Sequence, residues 1–195
     1  MDPYRVAEIL AVALNLAYVV LAIFQSALCW LTGFLGAGLT LVVFLHARLY
    51  ASTALQVVYM ALMVYGWYEW RHGGEKGGEL AVSRMPRRWG LGLAAAGLAF
   101  SAVLGLVLRQ GTDAALPFWD AGTTSFSLVA QFMTTRKWLE SWLVWIAVDV
   151  VYVGMLFSRA LGWMTVLYVA YLVLAVLGYR KWRQSLQGAQ GTGTA

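Results

Sequence analysis

Seven apolar segments, each long enough to cross a bilayer, limit what this chain can become. They run at about 5–24, 28–46, 52–70, 89–108, 118–135, 140–158 and 162–181. A hydrocarbon core about 30 Å thick is spanned by roughly 20 residues of helix. No water is available there to satisfy backbone N–H and C=O groups, so a spanning segment of this length must be helical. Composition agrees: 61% of the 195 residues are hydrophobic and 12% charged, against about 25% charged in a soluble domain. The expected fold is an all-α integral membrane protein with seven transmembrane helices. The opening stretch "MDPYRVAEIL" has neither a basic n-region nor a small-residue cleavage site. The first apolar segment therefore reads as a retained helix rather than a signal peptide.

The same residues exclude several functions. The net charge of +5 comes from basic residues between apolar runs, which does not suggest nucleic acid. Cys29 is the single cysteine, so no internal disulfide or CxxC site is available. The two histidines, His46 and His72, fall at helix ends. Without an HExxH motif or a Cys/His cluster, no metal and no cofactor are expected. The spans hold no Ser/His pair, HExxH or Asp pair, which argues against an enzyme.

Orientation follows from the basic residues of the short loops. Arg5, Arg48, Arg109 and Arg159 gather on one side. Arg71, Lys76, Arg84, Arg87, Arg88, Arg136, Lys137, Arg180, Lys181 and Arg183 gather on the other. The second side is expected to be cytoplasmic, with the N-terminus outside and the C-terminus inside. The connector "RHGGEKGGELAVSRMPRR" is Gly-rich and reads as flexible; the end of the chain, 184–195, reads as a disordered tail.

The chain also resembles itself. Pairing residues 28–71 with 140–183, a shift of 112, gives 12 identities in 44 positions without a gap. Apolar sequence inflates chance identity. The matched order Trp30/Trp142, Thr53/Thr165, Tyr59/Tyr171, Gly66/Gly178 and Trp70/Trp182 is harder to dismiss. Helices one to three then correspond to helices five to seven. The intervening fourth helix gives the two units the same orientation, a parallel repeat about an axis normal to the membrane. The expected organisation is a three-helix bundle at 1–70, a loop and linker helix at 71–116, a second bundle at 117–183, and the tail.

One ionisable side chain, Asp149, lies between Ser141 and Ser158. Trp138, Trp142, Trp145, Asp149 and Tyr152 step by fours and threes, so they share one helix face. Helix five carries a companion stripe of Thr124, Ser127, Gln131, Thr134 and Thr135. Helix three offers Gln56 and Tyr59, and helix one Asn15 and Tyr18. Tryptophan at a helix end is ordinarily an interface anchor. That reading covers Trp67, Trp70, Trp89, Trp119, Trp163 and Trp182, with Trp138 beside Arg136 and Lys137. It weakens for Trp145, more than a turn inside. A buried Thr or Gln often serves only a neighbouring helix, worth about 0.6 kcal/mol. Asp149 is different, because a central charge costs at least about 2.5–3.5 kcal/mol, and no Lys or Arg stands at its depth. A carboxylate among indole faces suits a flat, cationic, polar-substituted aromatic. The stripe reads as a substrate site.

The stretches "RKWLESWLVWIAVDVVYVG", with its WxxWxxxD spacing, "CWLTGFLGAGLTLVVFLHARLYASTALQVVYMALMVYGWYEWR" and "TVLYVAYLVLAVLGYRKWR" resemble the PnuC family of vitamin transporters. The likeness covers about residues 5–183. The family is similar in architecture to the SWEET sugar transporters, two parallel three-helix bundles joined by a linker helix (3+1+3). The resemblance implies facilitated diffusion of a B-vitamin precursor, usually nicotinamide riboside, across the inner (plasma) membrane. It also implies trapping by a cytoplasmic kinase, a role in pyridine nucleotide synthesis, and a homotrimer. The family's WxxW pair falls on Trp142 and Trp145, its following Asn-or-Asp position on Asp149, and its glutamines on Gln131 and Gln56. Together with the polar stripes, the candidate substrate-binding set is Trp142, Trp145, Asp149, Gln131, Gln56, Tyr59, Thr135, Tyr152 and Asn15. Asp149 stands where relatives often carry Asn, which keeps thiamine or another cationic vitamin open. A proton-coupled transporter using Asp149 is the competing mechanism, and a partner subunit without its own substrate would not need these stripes.

Overall fold

The protein is described here by a computed structural model covering residues 3–46, 48, 50–112 and 116–191. The main elements are seven helices: α1 (Pro3–Ile23), α2 (Leu28–His46), α3 (Tyr50–His72), α4 (Arg87–Gly111), α5 (Pro117–Thr135), α6 (Ser141–Ser158) and α7 (Gly162–Gly191). They fall on the seven expected segments. By length and composition, five of them, α1, α2, α4, α6 and α7, are apolar enough to cross a membrane. α3 and α5 are the polar exceptions. Much of the polarity of α5 is spent inside the helix. The hydroxyls of Thr123, Ser125 and Thr134 donate to the carbonyls of Trp119, Ala121 and Ala130 at 3.0, 2.7 and 2.8 Å, a back-bond that satisfies each hydroxyl as a donor within the helix.

The repeat is visible in the turns. Four described non-glycine residues have positive φ: Gln25 (59°), Arg48 (57°), Lys137 (48°) and Ala160 (56°). Each follows the end of a helix, and they form two pairs, Gln25/Lys137 and Arg48/Ala160, each 112 residues apart. Ser26 N donates to Leu21 O at 3.0 Å, Trp138 N to Met133 O at 3.2 Å and Leu161 N to Leu156 O at 3.1 Å. This six-residue closure around a left-handed residue satisfies the last carbonyls of a helix. The turn geometry recurs although its residues differ.

The chain forms two compact units. The first comprises Met1–Val82, Thr135–Lys137 and Arg180–Ala195; the second comprises Ser83–Thr134 and Trp138–Tyr179. α4 therefore groups with α5, α6 and most of α7. Within the first unit α1 packs on α2, and α2 on α3. Close approach depends on glycine, as expected where lipid removes the hydrophobic drive for helix association. A Cβ on Gly33 would come within 2.9 Å of Met63 and Tyr18, and one on Gly66 within 2.5 Å of the Trp30 ring. Within the second unit, α4 meets α5 where Gly97 faces Phe126 and Gly105 faces Phe118, and α6 meets α7 where the Trp142 ring would lie 2.6 Å from a Cβ on Gly178. Trp30 on Gly66 and Trp142 on Gly178 are the same joint made twice, 112 residues apart.

Several expectations need correction. The connector read as flexible is pinned along its length. Leu80 N donates to Trp70 O at 3.0 Å and Leu139 N to Ser83 O at 2.9 Å, while Met85 N donates to Glu140 Oε2 at 2.8 Å. Its glycines permit a compact path that its backbone bonds then hold. The tail expected to be disordered from residue 184 is helical through Gly191, since α7 continues without a breaker; 192–195 lie outside the described residues. Trp70, Trp182 and Trp138 are buried rather than belt residues. Trp70 meets Trp30 edge-on at 5.2 Å and Trp182 at 5.9 Å, and the Trp182 Nε1–H donates to Ala22 O at 3.0 Å. Trp119 and Trp163 are exposed, as anchors should be.

Candidate functional site

α5 is the most enclosed helix. No residue from 121 to 139 is exposed, the reverse of what its hydroxyls and amide would choose in water. Gln131, Thr134 and Thr135 are buried at its end. On α6, the Trp145 Nε1–H donates to the Thr134 hydroxyl at 3.3 Å, so the two polar stripes expected from helical spacing meet within the second unit. The Trp145 ring is half-buried.

Asp149 is the chemically demanding group. Its relative exposure is 5%, and among the described residues no donor hydrogen-bonds it and no cation pairs with it. The Tyr152 and Tyr171 hydroxyls lie near it. Tyr152 lies one turn along α6, its hydroxyl in hydrogen-bond reach of Thr123 and Thr124. Its ring sits 4.5 Å from Tyr168, which meets Tyr171 edge-on at 5.8 Å. Asp149 is thus a carboxyl held among tyrosines with no cation beside it among the described residues.

Trp142, expected to stack on a substrate, is 4% exposed, and its ring is seated on the α7 backbone at Gly178. Its geometry is that of a helix-packing wedge, like Trp30. Trp145 carries the more accessible indole. Asn15, Gln56 and Tyr59 lie in the first unit and are half-buried. The Asn15 Oδ1 packs against Gly36, 2.6 Å from where a Cβ would stand. Thr135 also groups with the first unit. Sequence reasoning passed over Tyr168 and Tyr171. A signal for Tyr171 was present, because it is the repeat partner of Tyr59, itself a candidate.

An enclosed polar helix, a buried acid without a partner among the described residues and apolar outer faces fit a multi-pass membrane protein, and the relatives it matches are transporters. The chain belongs to the family described as the nicotinamide mononucleotide transporter, whose model matches residues 5–184. It is 28% identical over 169 residues to the nicotinamide riboside transporter PnuC of Escherichia coli, covering 74% of this chain and 71% of that one. It is 31% identical over 172 residues to the riboflavin/roseoflavin transporter RibM of Streptomyces davaonensis, covering 87% and 80%. The crystal structure of a vitamin B3 transporter PnuC superposes with a TM-score of 0.72 at 24% identity, over 95% of this chain and 84% of the other. That likeness bears out the all-helical fold.

Proposed function

We propose that the protein imports nicotinamide riboside by facilitated diffusion, as a 3+1+3 transporter of the inner membrane with its C-terminus in the cytoplasm. The observation that carries the substrate is Asp149, buried without a partner among the described residues. An intramembrane carboxylate is tolerated where it meets a compensating charge or a water-filled cavity. The pyridinium ring of nicotinamide riboside brings a positive charge and a flat face for the Trp145 indole, and its ribose brings hydroxyls for the Gln131 amide. Riboflavin, carried by one relative, is neutral and gains nothing from the charge of a carboxylate. The mononucleotide would bring a phosphate of about −1.5 to −2 charge toward the same acid. Phosphorylation by a cytoplasmic kinase would therefore retain the product, and a homotrimer is the expected assembly.

Uniport is favoured over proton coupling because the spans carry no second acid at the depth of Asp149 to form a relay. Proteoliposomes decide between them. With no ion gradient, labelled nicotinamide riboside should equilibrate and stop. Accumulation abolished by a protonophore would establish the coupled mechanism instead. Competition in the same vesicles tests the substrate: unlabelled nicotinamide riboside should compete best, thiamine less, riboflavin least. If thiamine competes best, thiamine is the substrate.

A further inference from the structure

The equivalent turns after α1 and α5 share a backbone but are anchored differently. After α1, exposed Phe24 faces the Lys181 ammonium at 5.9 Å, and the Gln25 amide donates to the Ser185 hydroxyl at 2.9 Å. After α5 the same positions are Arg136 and Lys137. Arg136 Nη1 donates to Glu69 Oε1 at 2.8 Å and to the Tyr65 hydroxyl at 3.0 Å, while that hydroxyl donates to Glu69 Oε1 at 2.9 Å. Glu69 is itself the repeat counterpart of Lys181. Lys137 is buried. Its ammonium donates to Leu80 O at 2.7 Å and lies 4.4 Å from the centre of the Trp70 ring. The first turn shows that neither an ion pair nor a buried lysine is needed to close this backbone. The second turn carries both.

These surplus contacts sit at the end of α5, directly beyond Gln131, Thr134 and Thr135. All three are buried, and no residue from 121 to 139 is exposed. A transport path has to open at each end, and at this end the polar stretch of α5 finishes under Arg136 and Lys137. We propose that Glu69, Arg136 and Lys137 form a latch that holds the α5–α6 turn closed, and that releasing the Arg136–Glu69 pair opens the polar end of α5 to solution. The parts suit a reversible catch. The Arg136–Glu69 pair is partly exposed, with side chains 39% and 15% accessible, so water can replace it at little cost. Lys137 sits in the left-handed conformation that its repeat partner Gln25 adopts without a buried ammonium, so the burial of this lysine is not a requirement of the turn. Burial lowers the affinity of its ammonium for a proton, opposed by the nearby Glu79 and Cys29. Its hold is therefore conditional on that environment.

The latch rests on the transporter reading, but the protein contains an independent reporter. Cys29 is its single thiol. It is fully buried and close enough to Lys137 to interact electrostatically. The measurement is the rate at which a small methanethiosulfonate labels Cys29 in the purified full-length protein, alongside binding of nicotinamide riboside. Arg136→Gln and Glu69→Gln should each speed labelling by about fivefold, the factor expected for losing one half-exposed ion pair. The exchange Glu69→Arg/Arg136→Glu should restore the slow rate, and Arg136→Lys should stay near wild type. Affinity should move less than twofold, since none of these residues belongs to the candidate site. Wild-type labelling in both neutral variants, or no rescue by the exchange, would overturn the latch. Failure of the wild type to bind or carry any vitamin would overturn the transporter reading while leaving the labelling result intact.

Discussion

The two copies of the internal repeat differ where it matters. In the first, Trp30 on α2 rests on Gly66 of α3; in the second, Trp142 on α6 rests on Gly178 of α7. One and two turns further along, the copies part. The first has Gly33 and Ala37, and Met63 and Tyr18 crowd the space beside Gly33. The second has Trp145 and Asp149 at the equivalent positions. The joint stands in both copies, whereas the second indole and the acid stand in one. A residue common to both repeats is therefore first a scaffold residue, and a residue peculiar to one is first a candidate for function.

The largest expected effect tests the shared joint. Trp30→Ala and Trp142→Ala should each destabilise the protein by about 3–5 kcal/mol, as for a large buried aromatic, read as thermal unfolding in detergent. Loss from Trp142→Ala with none from Trp30→Ala would mean that the joints are not equivalent. Next comes the unshared position. Ala37→Asp places an acid in the first copy, where Thr40 and Gln56 stand in place of Tyr152 and Tyr168, and should cost about 2.5–3.5 kcal/mol of stability or prevent insertion; a well-folded variant would show that the second copy is not specialised for a carboxylate. Trp145→Ala should remove about 2 kcal/mol of vitamin binding with a much smaller melting shift than Trp142→Ala, measured by calorimetry on the same preparations. If binding survives, the half-buried Trp145 indole is not the stacking face. Smallest is Asp149→Asn, which keeps shape and hydrogen bonding but not charge. A cationic vitamin should bind about 1–2 kcal/mol more weakly, whereas riboflavin, if it binds at all, should be unaffected. Equal effects on both would assign the carboxyl to hydroxyl groups rather than to the ring charge.

Five of the seven helices were legible because a spanning segment announces itself by length and apolarity, and α3 and α5 by the length of chain between them. The repeat was legible as sequence and recurs in left-handed residues that no identity predicted, Gln25/Lys137 and Arg48/Ala160. The meeting of Trp145 with Thr134 follows from helical spacing, which places both on polar stripes. What stayed hidden has a common cause. Lipid is as apolar as a protein core, so Trp70 and Trp182 look the same in sequence whether they face a headgroup or each other. The wedge role of Trp142 depends on Gly178, 36 residues away, and no local pattern reports a contact of that range. The order of the 73–86 connector comes from backbone bonds to residues such as Leu139, which composition does not register.

The glycine contacts between α4 and α5 bear on how the protein is made. α4 is apolar and exposed along most of its length, touching α5 through the buried Gly97 and Gly105. α5 does not qualify for the bilayer on composition alone. Insertion favours apolar segments and penalises polar ones residue by residue, so α5 is a poor candidate when it leaves the ribosome by itself. α4 emerges first and can already lie in lipid, offering two side-chain-free notches to Phe126 and Phe118. In that order of events α4 would be an escort, giving the one helix of the second unit that falls short of a spanning segment a wall to enter against. Filling either notch would then be felt during biogenesis, as a shortfall in membrane-integrated protein, before it was felt as a fault in transport.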